Sequence, residues 1–430
     1  MKLIIHRGTR EIGGSCVELD ANKSRILIDF GLPLVNANHE PFDARILQHK
    51  SIDDLKTQGV LPRVKGLYKN EDKGIDGVLL SHSHPDHYGL LEYIHPEIPI
   101  YLSKGADILI KISSIFTPSK TKISNVSIAI PKKIVRIGDF VITPYLVDHS
   151  AFDALAFLID GAGKRIFYSG DLRGHGRKSV LFDRIIKDPP KNIGCLLMEG
   201  SMIGRESQEY KTEIDVQKRI EAILHESRKV AFISMSSQNI DRIVSAYKAC
   251  LKTNSIFIID IYTAFILDML KKISSGIPQF DWKNIRVMFF HNHAEALAQA
   301  GYRDLLYVYN KKKIKTLDIN RSKNKFLMLA RDNSIFPSII KGIDDIGGAK
   351  IIYSMWDGYL TKKFKDYCSK KKLIIENVHT SGHATVEDLK AFSVALNPGI
   401  LVPIHTFYPD KYKGFFDNAR MLKDGEPVMV

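Results

Sequence analysis

The chain has 430 residues, of which 44% are hydrophobic and 26% are charged, which is typical of a globular protein with room for about two to three domains. Lys and Arg outnumber Asp and Glu by 62 to 48, and the formal charge of +14 suits a polyanionic partner such as nucleic acid. A lysine-rich coding background would give the same excess. The four cysteines form no C-x-x-C pair, which argues against a disulfide scaffold and favours a reducing cytoplasm.

Two apolar segments have the hydrophobicity of a possible signal peptide or membrane span. The N-terminus, MKLIIHRGTREIGG, turns polar at His6 and Arg7, too early for the apolar core of a signal peptide. The most apolar long run, residues 255–270, is interrupted by Asp260 and Asp268 and predicts a buried strand followed by a helix. The sequence therefore predicts a cytoplasmic protein with no membrane partner.

The first part of the chain predicts a mostly β structure. KLIIHRG, CVELD and RILIDFG are β-branched or alternating segments that predict strands, and SIDDLKTQG predicts a helix in the irregular stretch that follows. GVLL predicts a strand leading into the loop SHSHPDH, and GLLEYIHP predicts the next helix. IPIYLS predicts a strand and KGADILIKISSIF a helix. Residues 133–171 predict strands and turns, with a hairpin at DGAGK, before the buried strand IGCLLMEGS.

The rhythm changes after Ser201 to alternating helices and strands, from TEIDVQKRIEAILHES through KVAFISM and QNIDRIVSAYKACLKT. Such alternation predicts a parallel α/β unit, inserted into the first domain. The tail returns to strand, loop, helix and strand. We therefore predict a first domain over residues 1–200, an inserted domain over 201–370, and a return to the first domain over 371–430.

The segment SHSHPDH, residues 81–87, places three histidines and an aspartate directly after a predicted strand. His82 and His84 are two positions apart, so an extended loop can direct both at one ion. Asp86 and His87 can reach a second ion beside it. Imidazole and carboxylate are ligands that suit zinc, and a loop next to a buried strand is well placed to hold them.

A second H-x-H pair serves as a comparison within the chain. HNHAE contains His291 and His293 at the same spacing, but no D-H follows it. We interpret this segment as a polar loop without a metal.

Further candidate ligands follow other predicted strands. YLVDHS contains His149, IFYSGD ends at Asp171, and LVPIHT contains His405. A single histidine at a strand end is usually an ordinary polar residue. Several of them fit loops that gather at one edge of a sheet, where sites are commonly built, and the Asp171 carboxylate could bridge two ions.

HSHPDH resembles the H-x-H-x-D-H signature of the metallo-β-lactamase fold, and Asp29, His149 and Asp171 occur in the order of that fold's other motifs. MEGS, HTSGHATVEDL and PIHT resemble the additional motifs of the β-CASP nucleases, and the combination is similar to the ribonuclease J family. The resemblance covers essentially the whole chain. It implies an α/β fold, an αββα metallo-β-lactamase sandwich with an inserted parallel α/β β-CASP domain.

The resemblance also implies a role for each matching residue. Two sets would each hold one zinc ion: His82, His84 and His149 for the first, and Asp86, His87 and His405 for the second. Asp171 would bridge the two ions, and Asp29 would orient the histidine loop without binding metal. Manganese is an alternative metal.

The implied catalytic residues are Asp86, Glu199 and His383. Glu199 would pair with His383, which would protonate the leaving oxygen, while a hydroxide on the metal pair attacks. The remaining motif residues would lie along a loop that grips phosphate: His379, Ser381, Gly382 and Ala384. SGHA alone could instead be the start of a helix, capped by Ser381 or Thr385, and the two roles are compatible.

The expected activity is hydrolysis of phosphodiester bonds in single-stranded RNA, as a 5′→3′ exoribonuclease with internal cleavage left open. His405, where related DNA-processing enzymes typically have valine, favours RNA. Three alternatives stay open: action on DNA, action on a small ester or thioester, and a non-catalytic subunit of an RNA-processing complex. A homodimer also stays open. One departure from the ribonuclease J pattern is Thr406-Phe407, which replaces the usual Gly-Glu.

Overall fold

The structure is a computed structural model that describes residues 1–36, 40–117, 121–205, 209–227, 229–323 and 325–430. Its strands, numbered in chain order, form three sheets. The first sheet, in the order β20-β1-β2-β3-β4-β5-β6, consists of β1 (Lys2–Arg7), β2 (Cys16–Ala21), β3 (Ser24–Ile28), β4 (Gly77–Leu79), β5 (Ile100–Leu102), β6 (Val126–Ile128) and β20 (Pro427–Met429).

The second sheet follows the order β19-β11-β10-β9-β8-β7. Its strands are β7 (Val135–Ile137), β8 (Phe140–Leu146), β9 (Leu155–Gly161), β10 (Lys164–Tyr168), β11 (Cys195–Glu199) and β19 (Ile400–Ile404). β8, β9 and β10 pair antiparallel, as the DGAGK turn predicts, whereas β10, β11 and β19 are parallel. The parallel strands bring the chain segments that follow Tyr168, Glu199 and Ile404 to one edge.

The helices are numbered in the same way. They are α1 (Ile52–Thr57), α2 (Pro85–Tyr88), α3 (Lys104–Phe116), α4 (Ser179–Lys187), α5 (Glu213–Glu226), α6 (Ile240–Lys252), α7 (Ile261–Leu270), α8 (His291–Gln299), α9 (Arg303–Asn310), α10 (Thr316–Arg321), α11 (Phe336–Lys341), α12 (Lys362–Lys370) and α13 (Val386–Leu396). Single 3-10 turns occur at Ala44–His49, Leu91–Tyr93, Asp357–Tyr359 and Pro409–Gly414.

The first two sheets face each other across an apolar core. On β3, Ile26 and Ile28 point into this core, where they meet Phe157 and Ile166 of the second sheet, while Leu27 points to the opposite face. Alternation of this kind follows from the two-residue period of a strand. Helix α3 covers the outer face of the first sheet, and α4 and α13 cover that of the second. The resulting αββα sandwich confirms the predicted fold class.

The third sheet is entirely parallel and has helices on both faces. Its order is β15-β14-β13-β16-β12-β17-β18, with strands β12 (Ala231–Ser234), β13 (Ile256–Asp260), β14 (Ile285–Met288), β15 (Lys313–Ile314), β16 (Phe326–Leu329), β17 (Lys350–Tyr353) and β18 (Ile374–Asn377). α5, α6 and α7 pack on one face, and α10, α11 and α12 on the other. β18 lies beyond residue 370, where we predict the end of the inserted domain, so this sheet extends past that boundary.

Two predicted elements differ from the structure. GLLEYIHP contains only the 3-10 turn Leu91–Tyr93, because the helix starts earlier, with Pro85 at its first position inside the histidine motif. HNHAE is the first turn of α8 and not a loop. Leu297 of that helix is buried in the inserted domain's core. The sequence of the histidine-rich segment does not indicate this tertiary contact. Within the described part of the chain, no helix is both long and apolar enough to cross a bilayer.

Candidate metal centre

The predicted ligands come together at the edge where strands of the two facing sheets end. The histidine motif follows β4, His149 follows β8, Asp171 follows β10 and His405 follows β19. All of these side chains except His84 and Asp86 are buried. The metal-ligand types that the sequence places far apart along the chain therefore form one cluster.

Asp29 anchors the histidine loop from below. Its carboxylate accepts hydrogen bonds from the Ser81 backbone N–H at 2.7 Å and from the Tyr168 hydroxyl at 2.7 Å. The same carboxylate lies 2.8 Å from His87 Nδ1. Asp29 has a positive φ of 56°, a conformation that aspartate tolerates better than most residues. It thus contacts the loop and a histidine rather than pointing among the other ligand atoms.

The ligand atoms form overlapping groups whose members lie within 4.8 Å of one another. They are His82, His84 and His149; His82, His87 and Asp171; Asp86, His87 and His405; and His149, Asp171 and His383. One Asp171 oxygen lies 3.3 Å from His87 Nε2 and 3.6 Å from His82 Nε2 and from His405 Nε2. Asp171 is therefore central to the cluster, between the two predicted sets.

Several buried polar atoms of this cluster have no hydrogen-bond partner among the described residues. They are both Asp171 carboxylate oxygens, His87 Nε2, His383 Nδ1 and His405 Nε2. Leaving a buried polar atom unsatisfied costs about 1–3 kcal/mol, so five such atoms converging on one place need a common partner. A metal ion would supply it, and the imidazole and carboxylate donor set suits zinc. The residues present therefore fit the metal that the histidine signature implies.

Contacts on the far side of the rings favour the tautomer that binds metal. His149 Nδ1 lies 2.5 Å from the Gly382 carbonyl oxygen, which can only accept, so Nδ1 carries the proton and Nε2 keeps its lone pair. Asp29 does the same for His87 Nδ1. His405 Nδ1 accepts a hydrogen bond from the Gly13 N–H at 3.2 Å and lies 3.0 Å from Ser15 Oγ, so these contacts orient its ring without placing a proton on Nδ1. Partners of this kind fix ring orientation in metal sites.

The protein environment also favours the neutral form of most of these rings. Burial lowers the pKa of His84 to about 4 and holds the pKa values of His82, His149 and His405 below the ordinary range. His87 differs, because the Asp171 and Asp29 carboxylates outweigh burial and raise its pKa. A neutral imidazole is the form that binds a metal. The nearby histidines outweigh burial at Asp171 and keep its pKa well below the ordinary range.

Glu199 and His383 lie beside this cluster. Glu199 Oε1 is 3.4 Å from His383 Nδ1, and Asp171 Oδ2 is 3.7 Å from the same nitrogen. The Glu199 carboxylate is held by backbone N–H groups of Ser201 at 2.9 Å and Ala384 at 3.2 Å. Burial lowers the pKa of His383, but Glu199 and then Asp171 outweigh it, so the pKa is raised.

The segment 379–384 borders the cluster. Gly382 places its carbonyl on His149, and a Cβ there would collide with the Ser150 hydroxyl, so only glycine fits. Thr385 caps α13 in a capping box with Asp388, which confirms the helix-start interpretation of this motif. His379 points to the inserted domain, where its Nδ1 is 3.4 Å from Arg242 Nη1.

A buried ion-pair network lies beneath this segment, and the sequence does not predict it. Arg173 pairs with Asp241 at 2.6 Å and donates to the Ser381 carbonyl at 2.9 Å. Arg242 pairs with Glu213 at 2.9 Å and donates to the Thr380 carbonyl at 3.1 Å. The two arginines thus join segment 379–384 to α5 and α6 of the inserted domain. No local spacing could reveal contacts between residues so distant in the chain, and the same holds for Ser15 and Tyr168.

Replacing Arg242 with Met should lower the free energy of unfolding by about 3 kcal/mol, because the fully buried Glu213 carboxylate loses its closest charged partner and keeps only Arg173, at 3.5 Å. Arg242 and Arg173 outweigh burial and lower the pKa of Glu213 to about 2. In the wild type this stabilisation should be complete above the ordinary glutamate pKa and should fall as the pH drops towards about 2. Urea denaturation at neutral and acidic pH measures both effects.

Arg219→Met is the matched control for that variant. Arg219 pairs with Glu376, but both side chains are partly exposed, so its loss should cost at most about 1 kcal/mol. Equal losses for the two variants would contradict the importance of the buried pair.

Comparison with known proteins agrees with this geometry. A family model described as a beta-lactamase superfamily domain matches residues 40–230. The ribonuclease J of Helicobacter pylori is 24% identical over 98% of this chain, and the ribonuclease J 2 of Streptococcus pyogenes is 20% identical over 100% of it. The chain spans 60% and 75% of the length of those two relatives.

The chain is also similar to a third protein over a shorter segment and to one solved structure. An RNase J-like protein of Methanocaldococcus jannaschii is 30% identical over 21% of this chain. A crystal structure of a protein of unknown function from Enterococcus faecalis superposes over 100% of this chain and 99% of that one, with a TM-score of 0.79 and 21% identity. That likeness bears on the fold alone.

The sandwich, its histidine motif and the match over residues 40–230 make this chain similar to proteins with a beta-lactamase superfamily domain. Within that likeness, the chain is similar over nearly its full length to ribonucleases J, at 20–24% identity.

Proposed function

We propose that this protein is a metal-dependent ribonuclease that hydrolyses phosphodiester bonds in single-stranded RNA, mainly from the 5′ end, with internal cleavage also allowed. One observation carries the proposal: two sets of metal-ligand side chains lie on either side of Asp171, with the Glu199–His383 pair beside them. The names of the relatives, which are ribonucleases, support RNA as the substrate. The charge of +14 suits a polyanion.

The proposed metal ligands fall into the two sets described above. His82, His84 and His149 would hold one ion, and Asp86, His87 and His405 the other, with Asp171 available to both sets. Bound ions of this kind supply Lewis acidity at the phosphoryl group and a nucleophile at neutral pH. Zinc fits this donor set, and manganese is the alternative.

The chain's own residues supply the proton and the positioning. His383, whose Nδ1 lies 3.4 Å from Glu199 Oε1, would release the proton of its other ring nitrogen to the leaving oxygen, and Glu199 would stabilise the charged ring before transfer. Glu199 itself is fixed by two backbone N–H groups, so it cannot swing away. Asp29 keeps His87 oriented throughout.

Segment 379–384 is proposed to hold the 5′ phosphate of the substrate. Support comes from its position, because it contacts His149 through Gly382 and reaches Glu199 through Ala384. A phosphate bound there lies beside the reacting bond, so the terminal nucleotide would be removed first. Because Gly382 has no Cβ, its backbone can lie close to Ser150 and His149.

His405 supports RNA over DNA, since related DNA-processing enzymes typically have valine at this position. The His405 ring belongs to the second ligand set. The backbone at His405 has a positive φ of 54°, a conformation that the surrounding structure must stabilise. Thr406-Phe407 replaces the Gly-Glu usual in the ribonuclease J pattern, and Thr406 Oγ1 accepts the Tyr408 N–H instead. The departure changes the loop after His405 and leaves its ring among the ligands.

End-labelled single-stranded RNA and DNA, incubated with the purified protein and Mn²⁺ or Zn²⁺, test the proposal directly. We expect shortening of RNA from its 5′ end and slower or no action on DNA. Failure to cleave any RNA, together with hydrolysis of a small thioester or ester, would show instead a small-molecule hydrolase on the same fold.

A 5′-monophosphorylated RNA should be degraded faster than the same RNA with a 5′ hydroxyl group, because only the former fills the proposed phosphate site. Initial rates on the two RNAs, each labelled at the 3′ end, measure the preference. A circular RNA of the same sequence is the control for internal cleavage, which needs no end. Equal rates on all three substrates would remove the terminal phosphate site and leave endonuclease action.

A further inference from the structure

Three exposed aromatic rings and two cations lie together near the ligand cluster. We call this surface the aromatic–cationic patch, and its members are Trp356, Tyr359, Tyr408, Arg205 and Lys411. Trp356 is 47% exposed, Tyr359 55% and Tyr408 45%. Large apolar rings grouped at the surface usually mark a place where something binds.

The members of the patch contact one another. The Trp356 and Tyr359 rings meet edge to face, with centroids 5.3 Å apart, and the Arg205 guanidinium lies 5.2 Å from the Trp356 ring. Lys411 Nζ lies 4.7 Å from the Tyr408 ring. Each of the two cations thus lies over an aromatic ring, which stabilises its charge.

The backbone beneath the patch is shaped for these rings. Trp356 lies over Gly358, where a Cβ would collide with the indole ring, and Tyr408 lies over Gly204 in the same way. Gly204 also has a positive φ of 80°, which favours glycine. Asn377 donates a hydrogen bond of 2.6 Å to Asp357 and fixes the 3-10 turn that carries Tyr359. The rings are therefore held in place before any ligand arrives.

The patch adjoins the second ligand set, and the turn that carries Tyr359 also bonds Asn377, just before segment 379–384. Tyr408 follows His405 by three positions. Desolvation, followed by the Asp86 carboxylate, raises the pKa of the Tyr359 phenol, which puts that ring within electrostatic range of a predicted ligand. Glu199 opposes the lowering effect of burial on the pKa of Arg205 in the same manner. Segment 379–384 contacts His149 of the first set and, through Ala384, the same Glu199.

We propose that the aromatic–cationic patch binds a single-stranded nucleic acid by stacking Trp356 and Tyr359 on its bases, next to the second ligand set. This rests on the proposed function, since it names how the same site holds the rest of its substrate. Aromatic rings stack on any base, and Arg205 and Lys411 neutralise the phosphates between them. A polyanion with exposed planar groups is complementary to both the charge and the shape of this surface.

The experiment compares variants of the whole protein in binding a short, fluorescently labelled, 5′-phosphorylated RNA whose phosphorothioate linkages slow hydrolysis. Trp356→Ala and Tyr359→Ala should each raise the Kd roughly 5- to 100-fold, as expected for loss of one base–aromatic stack. Trp356→Phe should retain most of the affinity. Tyr307→Ala is the matched control, because Tyr307 is 71% exposed on α9 and lies outside the patch. Thermal midpoints establish that every variant is folded.

A second RNA, with abasic nucleotides beside the cleaved bond, tests stacking itself. The abasic changes should weaken binding to the wild type but cause little further loss in Trp356→Ala. Binding by Trp356→Ala equal to that of Tyr307→Ala would overturn the proposal, as would the same abasic loss in wild type and variant. If the patch binds only a protein, no single-stranded nucleic acid will bind to it, and that result also overturns the proposal.

Cleavage assays on the same preparations separate this proposal from the proposed function. If the wild type binds RNA through Trp356 but cleaves none, the patch proposal stands and the proposed ribonuclease function is refuted. Wild type that cleaves RNA, with Trp356→Ala unchanged in both Kd and KM, would retain the ribonuclease and refute the patch.

Discussion

Changing Asp86 and His87 to Ala in one chain should abolish RNA cleavage and remove the metal ion that these residues and His405 are proposed to hold. His87 Nε2 is buried without a hydrogen-bond partner, and the Asp86 carboxylate lies 3.9 Å from it and 3.7 Å from His405 Nε2. Without both side chains, His405 and Asp171 alone cannot enclose an ion, and phosphoryl transfer loses its Lewis acid. Elemental analysis of the purified protein and the RNA assay measure the two losses.

The wild type should contain close to two ions per chain, and the double variant fewer. His291→Ala is the control, because His291 belongs to the other H-x-H pair and is almost fully exposed on α8. It should leave metal content and activity unchanged. Active wild-type protein without bound metal, or an active double variant, would contradict the metal mechanism.

Changing His383 to Ala should lower turnover by about 10²–10⁴ while both metal ions stay bound, because the proton for the leaving oxygen is lost but the two ligand sets remain. His383 Nδ1 is 3.4 Å from Glu199 and 3.7 Å from Asp171, so it lies beside the proposed ligands. The measurement is kcat and KM on 5′-phosphorylated RNA, with elemental analysis of the same preparation. The effect should fall on kcat, with KM nearly unchanged.

Two comparisons give this prediction its meaning. Glu199→Gln removes the charge that stabilises protonated His383 and should also lower kcat, without loss of metal. His225→Ala, at the exposed end of α5, should have no effect. Loss of metal from His383→Ala would show that His383 is a ligand and not the proton donor, which its place in the group with His149 and Asp171 makes a real alternative.

Much of the architecture was readable from local pattern. The boundaries of α3 match the predicted segment KGADILIKISSIF, and the hairpin of β9 and β10 forms where DGAGK predicts it. Periodicity sufficed because each element buries its apolar face within the same layer that the pattern implies. It failed at HNHAE, where helix formation depends on packing of α8 against the inserted domain's core and not on its own polar first turn.

The candidate site divides in the same way. SHSHPDH predicts a metal loop because its ligands are close in sequence, and the resemblance to a known family adds His149, Asp171 and His405. Nothing local indicates that Tyr168 would hold Asp29, or that Ser15 would meet His405. Those contacts join strands from opposite parts of the chain, and hydroxyl groups at such positions have no distinguishing pattern.

The sequence by itself determined the order of strands and helices, the charge, and the identity of the atoms that could bind metal. Only the tertiary structure decided which of those atoms meet and which stay buried without partners around Asp171. It also decided that Arg205 and Trp356 would share one surface, and that Arg173 and Arg242 would tie segment 379–384 to the inserted domain. The physical reason is that hydrophobic patterning fixes which face of each element is buried, whereas contacts between polar side chains distant in sequence depend on how the packed layers align their ends.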